Sequence, residues 1–305
     1  MSCNILYIAG GGHSGSTLLD MVIGSSKGVF SAGELRYIDK FDAHYKVGQR
    51  FENDGMCTCG DQVVSCNFWK EVRGAGSQHK IKKIWTPLES AKILINILNP
   101  FEKYFSFVIE VGKNQAVLEK INSVHKAQLG ALTHISDSSK DLRRLYELVQ
   151  DPQINNKDLI VIHLVRDGRG YVYSFQKNSR KKLGLKVKGT LYLISEWVML
   201  NVLIKVIIFK YKLKSINVSY DQFAKNSKKT IDLINRKTGT NIDADNLIVN
   251  MANKPYHLVA GNQMRFESIN EIKYDEKWSN VFSLSKRIFL SVILYPFNKK
   301  WVYFD

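Results

Sequence analysis

Acidic residues are in short supply in this 305-residue sequence: 28 Asp and Glu stand against 44 Lys and Arg, a formal net charge of +16. That imbalance favours anionic partners: a nucleotide, an acidic glycan, nucleic acid or an anionic membrane. Cysteine is scarce too. The chain has 4, three of them in one short segment, which excludes a disulfide scaffold at this length and makes a reducing cytoplasm the expected compartment. The opening residues Met1-Ser2-Cys3-Asn4 lead straight into a strand-like stretch, without the basic region, long apolar run or small-residue cleavage site of a secretory signal. There is no Pro-, Gly- or Ser-rich linker, internal repeat or low-complexity segment, so 1–305 reads as one domain, with helical and cysteine-containing insertions at about 45–130. The 45% hydrophobic content is enough for a large core and argues against disorder. The most apolar stretch, 191–209, carries Ser195, Glu196, Asn201 and Lys205, and reads as a core helix rather than a membrane span.

What is present alternates. Asn4-Ile5-Leu6-Tyr7-Ile8-Ala9 is a short apolar run ended by Gly10-Gly11-Gly12, the pattern of a buried parallel strand entering a tight turn. A helix is expected at 16–26, a brief strand at 29–31, a helix from about 34, an ordered loop at 52–67 and helical segments within 87–129. Strands at 132–135 and 159–165 flank a helix at about 139–150; then come the helix from about 190, a strand at 216–219 and a helix at 222–237 stopped by Gly239. Strand and helix in alternation predict a three-layer α/β sandwich around a mainly parallel, P-loop-like sheet.

The first turn carries the chemistry. In Gly10-Gly11-Gly12-His13-Ser14-Gly15-Ser16-Thr17-Leu18-Leu19, backbone N–H groups and the positive end of a helix converge, with hydroxyls from Ser14, Ser16 and Thr17, which suits an anion. A nucleotide-hydrolysing loop needs a Gly-Lys-Ser/Thr lysine, and that lysine is missing, which disfavours ATP or GTP hydrolysis. Ser14-Gly15-Ser16-Thr17-Leu18 resembles the phosphosulfate loop of sulfotransferases that use 3′-phosphoadenosine-5′-phosphosulfate (PAPS), with His13 where many members carry Lys or Arg. Histidine titrates near neutrality, so His13 is a donor whose charge depends on its surroundings. A second stretch, His163-Leu164-Val165-Arg166-Asp167-Gly168-Arg169, ends the strongest strand, and Ser174 follows Arg166 by eight residues, nearly two turns into a helix beginning near Gly168. In the family an Arg and a Ser at this spacing hold the 3′-phosphate, a task that suits the planar guanidinium.

Further segments extend the resemblance to bacterial and carbohydrate-type members. Ser136-Asp137-Ser138-Ser139-Lys140 resembles an Asp-Ser-Ser-Lys element, Val218-Ser219-Tyr220-Asp221 the element whose tyrosine lies near the adenine, and Gly261-Asn262-Gln263-Met264-Arg265 a loop that closes over the nucleotide. The resemblance implies donor binding by Gly12, His13, Ser14, Gly15, Ser16, Thr17, Leu18, Arg166, Ser174, Tyr220, Gly261, Asn262 and Arg265, with PAPS as donor, 3′-phosphoadenosine-5′-phosphate (PAP) as product and no metal needed for the transfer. The catalytic candidates are Glu34, at the end of the second strand where heparan-type enzymes place a glutamate base, with His13 and Lys140.

Two features lie outside that set. Cys57, Cys59 and Cys66 form a cluster that leaves three readings open: reduced thiols packed on Trp69, which leads; zinc with Cys3 or His44 as fourth ligand; or a disulfide to Cys66. Arg180, Lys181, Lys182, Lys186 and Lys188 read either as a basic lid for an acidic acceptor or as a solvated charge run. The acceptor, a hydroxyl or amine of a glycan, lipid or smaller molecule, is not legible, nor is the oligomeric state. Two other classes compete: a degenerate P-loop kinase or hydrolase, which needs the missing lysine, and a basic nucleic-acid or membrane-binding module, for which no reading element with interleaved aromatics and no exposed basic helix is evident.

Overall fold

Ile5, Leu6, Tyr7, Ile8 and Ala9 are all buried, as a strand covered on both faces must be. In the computed structural model they form β1 (Asn4–Gly10), the middle of a five-stranded sheet with β2 (Val29–Ser31), β3 (His134–Lys140), β4 (Leu159–Val165) and β5 (Lys214–Ser219). The order is β2-β3-β1-β4-β5 and every pair is parallel. The structure describes residues 3–41, 44, 46–48, 53–73, 95, 113–181 and 188–304.

The period of two along β1 sorts the helices into layers. Ile5, Tyr7 and Ala9 face a core shared with α2 (Asn67–Arg73), α3 (Lys113–Gln128), α4 (Leu142–Gln150) and the later turns of a 21-residue helix at Thr190–Lys210. Leu6 and Ile8 face the other layer, which includes α1 (Ser16–Gly24), Ile231 and Ile234. A third cluster joins α5 (Gly168–Lys181), the first turns of the long helix, here α6, and the C-terminal helix Leu284–Trp301. The expected three-layer sandwich is the fold, and its sheet is wholly parallel.

Length and mean hydropathy alone would let α6 cross a membrane, yet half of its most apolar window is buried inside the protein. Its polar residues are used internally: Glu196 accepts from Lys188, and Asn201 Oδ1 lies 2.8 Å from His163 Nε2. Burial lowers the His163 pKa to about 4, so the ring is neutral and serves packing rather than proton transfer.

Some boundaries moved. β3 extends through Lys140, where the sequence suggested a strand ending at 135, because Ser136, Asp137 and Ser138 are polar yet buried. Asp137 is satisfied by Arg144 and Ser139, and Ser138 by Asp20, so polarity there does not mark a loop. The element after Glu34 is a 3-10 helix, Leu35–Lys40. The helix expected at 222–237 is two, Tyr220–Lys225 and Ser227–Thr238, because Asn226 leaves helical geometry and its side chain caps the second through Lys229 N–H. Of the 87–129 segment, α3 and residue 95 are described and the remainder lies outside the described residues, as do the side chains of Arg180, Lys181, Lys182 and Lys186.

One fully buried carboxyl welds the layers near the top of β2. Asp20 in α1 accepts from Gly33 N–H at 3.1 Å and Ser138 Oγ at 2.9 Å, while Ser31 Oγ donates to its other oxygen at 3.1 Å. Burial, only partly offset by those hydrogen bonds, pushes its pKa up to about 7. A native-state pKa above the unfolded value means the folded state holds an extra proton between about pH 4 and 7, so this contribution to stability is present at low pH and lost as pH rises through 7. Asp20→Asn, which cannot ionise, is expected to remove that slope: relative to wild type its melting temperature rises between pH 4 and 8, equivalent to at most about 4 kcal/mol. Thermal melts across that range check it, and parallel pH profiles for the two proteins contradict it.

Candidate functional site

Parallel strands bring their carboxyl ends to one edge, and the register aligns the motifs there. Gly10 pairs with Leu164, Val165 with Ser219, and Ser31 with Ser136, so the Gly10–Gly15 turn, Arg166, Tyr220, Glu34 and Lys140 all emerge along one rim. This rim is where open α/β sheets bind ligands. Strand order then spreads the residues out: β2 and β3, carrying Glu34 and Lys140, lie on one side of β1, and β4 and β5, carrying Arg166 and Tyr220, on the other. Three strand spacings, about 14 Å, separate β2 from β4.

The turn is shaped by what lies above it. Gly15 precedes α1 with φ +87°, and a Cβ there would stand 2.3 Å from the Tyr220 ring, so both backbone and space demand glycine. Gly11 and Gly12 likewise lie under Tyr171 and Phe175. Ser14 is buried, and its hydroxyl has no hydrogen-bond partner. A buried orphan hydroxyl beside the first amides of a nine-residue helix is a donor with no acceptor inside the protein. Ser16, Thr17 and Leu18 are buried in the first turn of that helix. Thr17 Oγ1 accepts from Asn262 N–H at 3.1 Å, which brings the Gly261-Asn262 segment over the helix start. His13 is exposed at the rim with φ +61°, its ring edge-on to Phe175 at 4.9 Å between centroids.

On the β4 side, Arg166 is buried at the strand end. Its Nη1 donates to Ser174 Oγ and to the His13 carbonyl, each at 3.1 Å, and its guanidinium lies 5.1 Å from the centroid of the Tyr220 ring. The Arg and Ser eight apart in sequence are therefore in contact, and the pair is joined to the turn. Nη2 binds the carboxylate and the carbonyl of Asp275 at 3.0 and 3.1 Å, and Nε has no partner. Asp275 was not legible in the sequence: it lies in an irregular, charge-rich segment with no motif around it. Asp167 instead pairs with Arg169; burial opposes its ionisation, but Arg169 and the Tyr303 hydroxyl hold its pKa below the usual carboxylate range.

On the β2 side, Glu34 follows the strand, with its N–H bound to the Val259 carbonyl at 2.7 Å, and its carboxylate forms an ion pair with Lys140, the last residue of β3. Lys140 has φ +64°, uncommon outside glycine, which aims its side chain across the strand ends. Both side chains are mostly buried. Arg265 is buried too; its guanidinium binds the carbonyls of Gly261, Asn53 and Met56, tying the 261–265 segment to the cysteine loop. Burial lowers its pKa to about 10, which leaves it charged at neutral pH. A cleft of about 610 Å³ lined by Lys27, His125, Lys254 and Tyr256 opens at the starts of β2 and β3, the far end of the sheet from this rim.

No family model matches the sequence, and no curated protein is similar to it in sequence. Among solved structures, the sulfotransferase domain from the curacin biosynthetic pathway superposes with a TM-score of 0.52 over 97% of this chain and 98% of that one, at 14% identity. The chain has the fold of a sulfotransferase domain. The sulfotransferase domain of the Synechococcus PCC 7002 olefin synthase aligns over 96% of this chain and 95% of that one, at 15% identity and a TM-score of 0.47. Within that fold, the residues singled out from sequence come together in two groups about one loop: Arg166, Ser174 and Tyr220 on one flank, Glu34 and Lys140 on the other.

The packing of Tyr220 on the turn is testable. Gly15→Ala should lose about 1–2 kcal/mol from backbone strain alone, plus the steric cost against the ring. Tyr220→Ala in the same chain should recover the steric part, a coupling of about 0.5–3 kcal/mol in a double-mutant cycle by denaturant unfolding. Strict additivity would contradict the contact.

Proposed function

We propose that this protein transfers a sulfuryl group from PAPS to a hydroxyl or amine of an acceptor. The observation that carries the reading is the contact of Arg166 with Ser174 and with the carbonyl of His13, which joins a two-residue phosphate clamp to an anion-binding turn that lacks a lysine. The residues fit the donor: Ser14 Oγ and Arg166 Nε are buried and unpartnered at the two places where phosphates are expected. When bound, PAPS supplies a sulfuryl group attached to a phosphate leaving group, and the protein's part is positioning and charge stabilisation.

In this reading the amides of the turn, with Ser14 and Thr17, hold the 5′ end, and Arg166 and Ser174 hold the 3′-phosphate. Tyr220 offers its ring beside the adenine, and Gly261-Asn262 closes against the start of α1. Glu34 takes the acceptor proton. Lys140, paired with Glu34, directs that carboxylate and contributes positive charge at the transfer end. Asp275 holds the Arg166 fork by charge until the 3′-phosphate, with more negative charge, takes its place. The net charge of +16 favours an acidic acceptor, a glycan or an anionic lipid headgroup. A nucleotide kinase or hydrolase fits less well: Ser16 stands where its lysine belongs, and the accepting side of the Thr17 hydroxyl is engaged by Asn262 N–H.

The experiment follows PAP release from PAPS with pooled hydroxyl and amine acceptors. Wild type should turn over, whereas Glu34→Gln should lose about 10²–10⁴-fold in kcat with PAP affinity retained. Equal turnover by the variant removes Glu34 as the base, and no transfer to any acceptor by a protein that binds PAP overturns the assigned activity.

A further inference from the structure

The three loop cysteines have a fourth neighbour that their spacing gives no hint of. Sγ of Cys57, Cys59 and Cys66 and Nδ1 of His257 all lie within 4.8 Å of one another, although His257 is 191 residues beyond Cys66. Cys3 and His44, the fourth ligands suggested by sequence, are not in this group. We propose that these four residues bind one zinc ion as a structural, Cys3His site. This inference stands independently of the transfer reaction.

The edges of the cluster carry the assignment. Cys59 Sγ to Cys66 Sγ is 3.6 Å, Cys57 Sγ to His257 Nδ1 is 3.6 Å, and Cys66 Sγ to His257 Nδ1 is 3.4 Å. A tetrahedral zinc with bonds of about 2.3 Å to sulfur and 2.0–2.1 Å to nitrogen has S to S edges of about 3.8 Å and S to N edges of about 3.5 Å. A disulfide would need its sulfurs about 2.05 Å apart, and all four cysteines are free. Three thiols and an imidazole all within 4.8 Å of one another, with three of their separations at the edge lengths of a coordination tetrahedron, are more than the packing of reduced cysteines on Trp69 requires.

The ligands are also held in place. Cys57 N–H bonds to the Asp61 carbonyl at 2.8 Å and Gly60 N–H to the Cys57 carbonyl at 3.0 Å, so Cys57 and Cys59 flank one tight turn. The His257 ring stacks on Phe68, centroids 5.1 Å apart and planes 15° apart, and its carbonyl accepts from Trp69 Nε1 at 2.7 Å. Thr58 Oγ1 donates to the Tyr256 carbonyl and accepts from Leu258 N–H, locking both neighbours of the histidine to the cysteine turn. The imidazole thus presents Nδ1 to the sulfurs, as a neutral ligand with its proton on Nε2 must.

Four protein ligands leave no open position, so the site is structural rather than catalytic. It is placed to fix the rim. Two residues past His257, Val259 bonds to Ala32 and to Glu34 N–H, and Arg265 binds the carbonyls of Asn53 and Met56 in the cysteine loop. One ion would tie the loop to both the Glu34 corner and the 261–265 segment. This departs from the leading reading of the sequence, reduced thiols packed on Trp69, and from its suggested fourth ligands Cys3 and His44.

Full-length protein purified without chelator should carry about one zinc per chain by elemental analysis. Cobalt(II) substituted for it should give the intense visible bands and thiolate charge transfer of a four-coordinate sulfur-rich site. His257→Gln and Cys59→Ser should each weaken zinc roughly 100-fold or more, and Cys3→Ser should leave it unchanged. If the ligand variants fail to fold, the wild-type cobalt spectrum decides. Zinc well below stoichiometric that does not rise on reconstitution, a six-coordinate cobalt spectrum, or equal loss in Cys3→Ser would overturn the site.

Discussion

The guanidinium of Arg166 is buried at the end of β4, and a buried cation must find partners there or destabilise the fold. It finds them in three parts of the chain: the carbonyl of His13 in the first turn, Ser174 in α5, and Asp275 in the C-terminal third. One side chain thereby sets the distance between the Gly10–Gly15 turn and the helix that follows the strongest strand. Tyr220 lies beneath it and over Gly15, so the turn is clamped from the β4 and β5 side without any lysine of its own.

The opposite flank is built on a different physical basis. There a carboxyl, Asp20, is buried among serine hydroxyls and the Gly33 amide, and it holds the start of the Glu34 corner against α1. Cation-centred organisation on one side and carboxyl-centred organisation on the other suit the division of labour proposed for the site. In that proposal phosphate is held where positive charge is fixed, and a proton is removed where a carboxylate is positioned beside Lys140. The zinc assigned to Cys57, Cys59, Cys66 and His257 adds a third tie, on the outside of the Glu34 corner.

Much of this was legible in the sequence because period-two and buried-strand patterns are strong for β1 and β4, and because the turn and the Arg166–Ser174 spacing are local. Reading failed where polar residues are buried. Asp137 and Ser138 lie in a strand, where Arg144 and Ser139 satisfy the first and Asp20 the second, and no local pattern announces such partners. Asp20, Asp275 and His257 share that difficulty. Each acts on residues more than ten positions away, His257 on thiols 191 to 200 away, and such pairings are decided by tertiary packing. Arg265 was placed among the donor-binding residues on motif grounds, and no local pattern announces that its guanidinium binds the carbonyls of Gly261, Asn53 and Met56.

In the proposed function the turn and the Arg166–Ser174 pair together form a site for a 3′-phosphorylated adenosine nucleotide. Calorimetric titration with PAP, beside ADP and beside ATP with magnesium, on wild type and on Arg166→Ala tests it most directly. Tight PAP binding, weak ADP and ATP binding, and loss of the PAP preference in the variant are expected, since removing a charge-assisted phosphate contact costs about 1.5–3 kcal/mol. Binding of ATP with magnesium as tight as that of PAP, or a PAP affinity indifferent to Arg166, would contradict it.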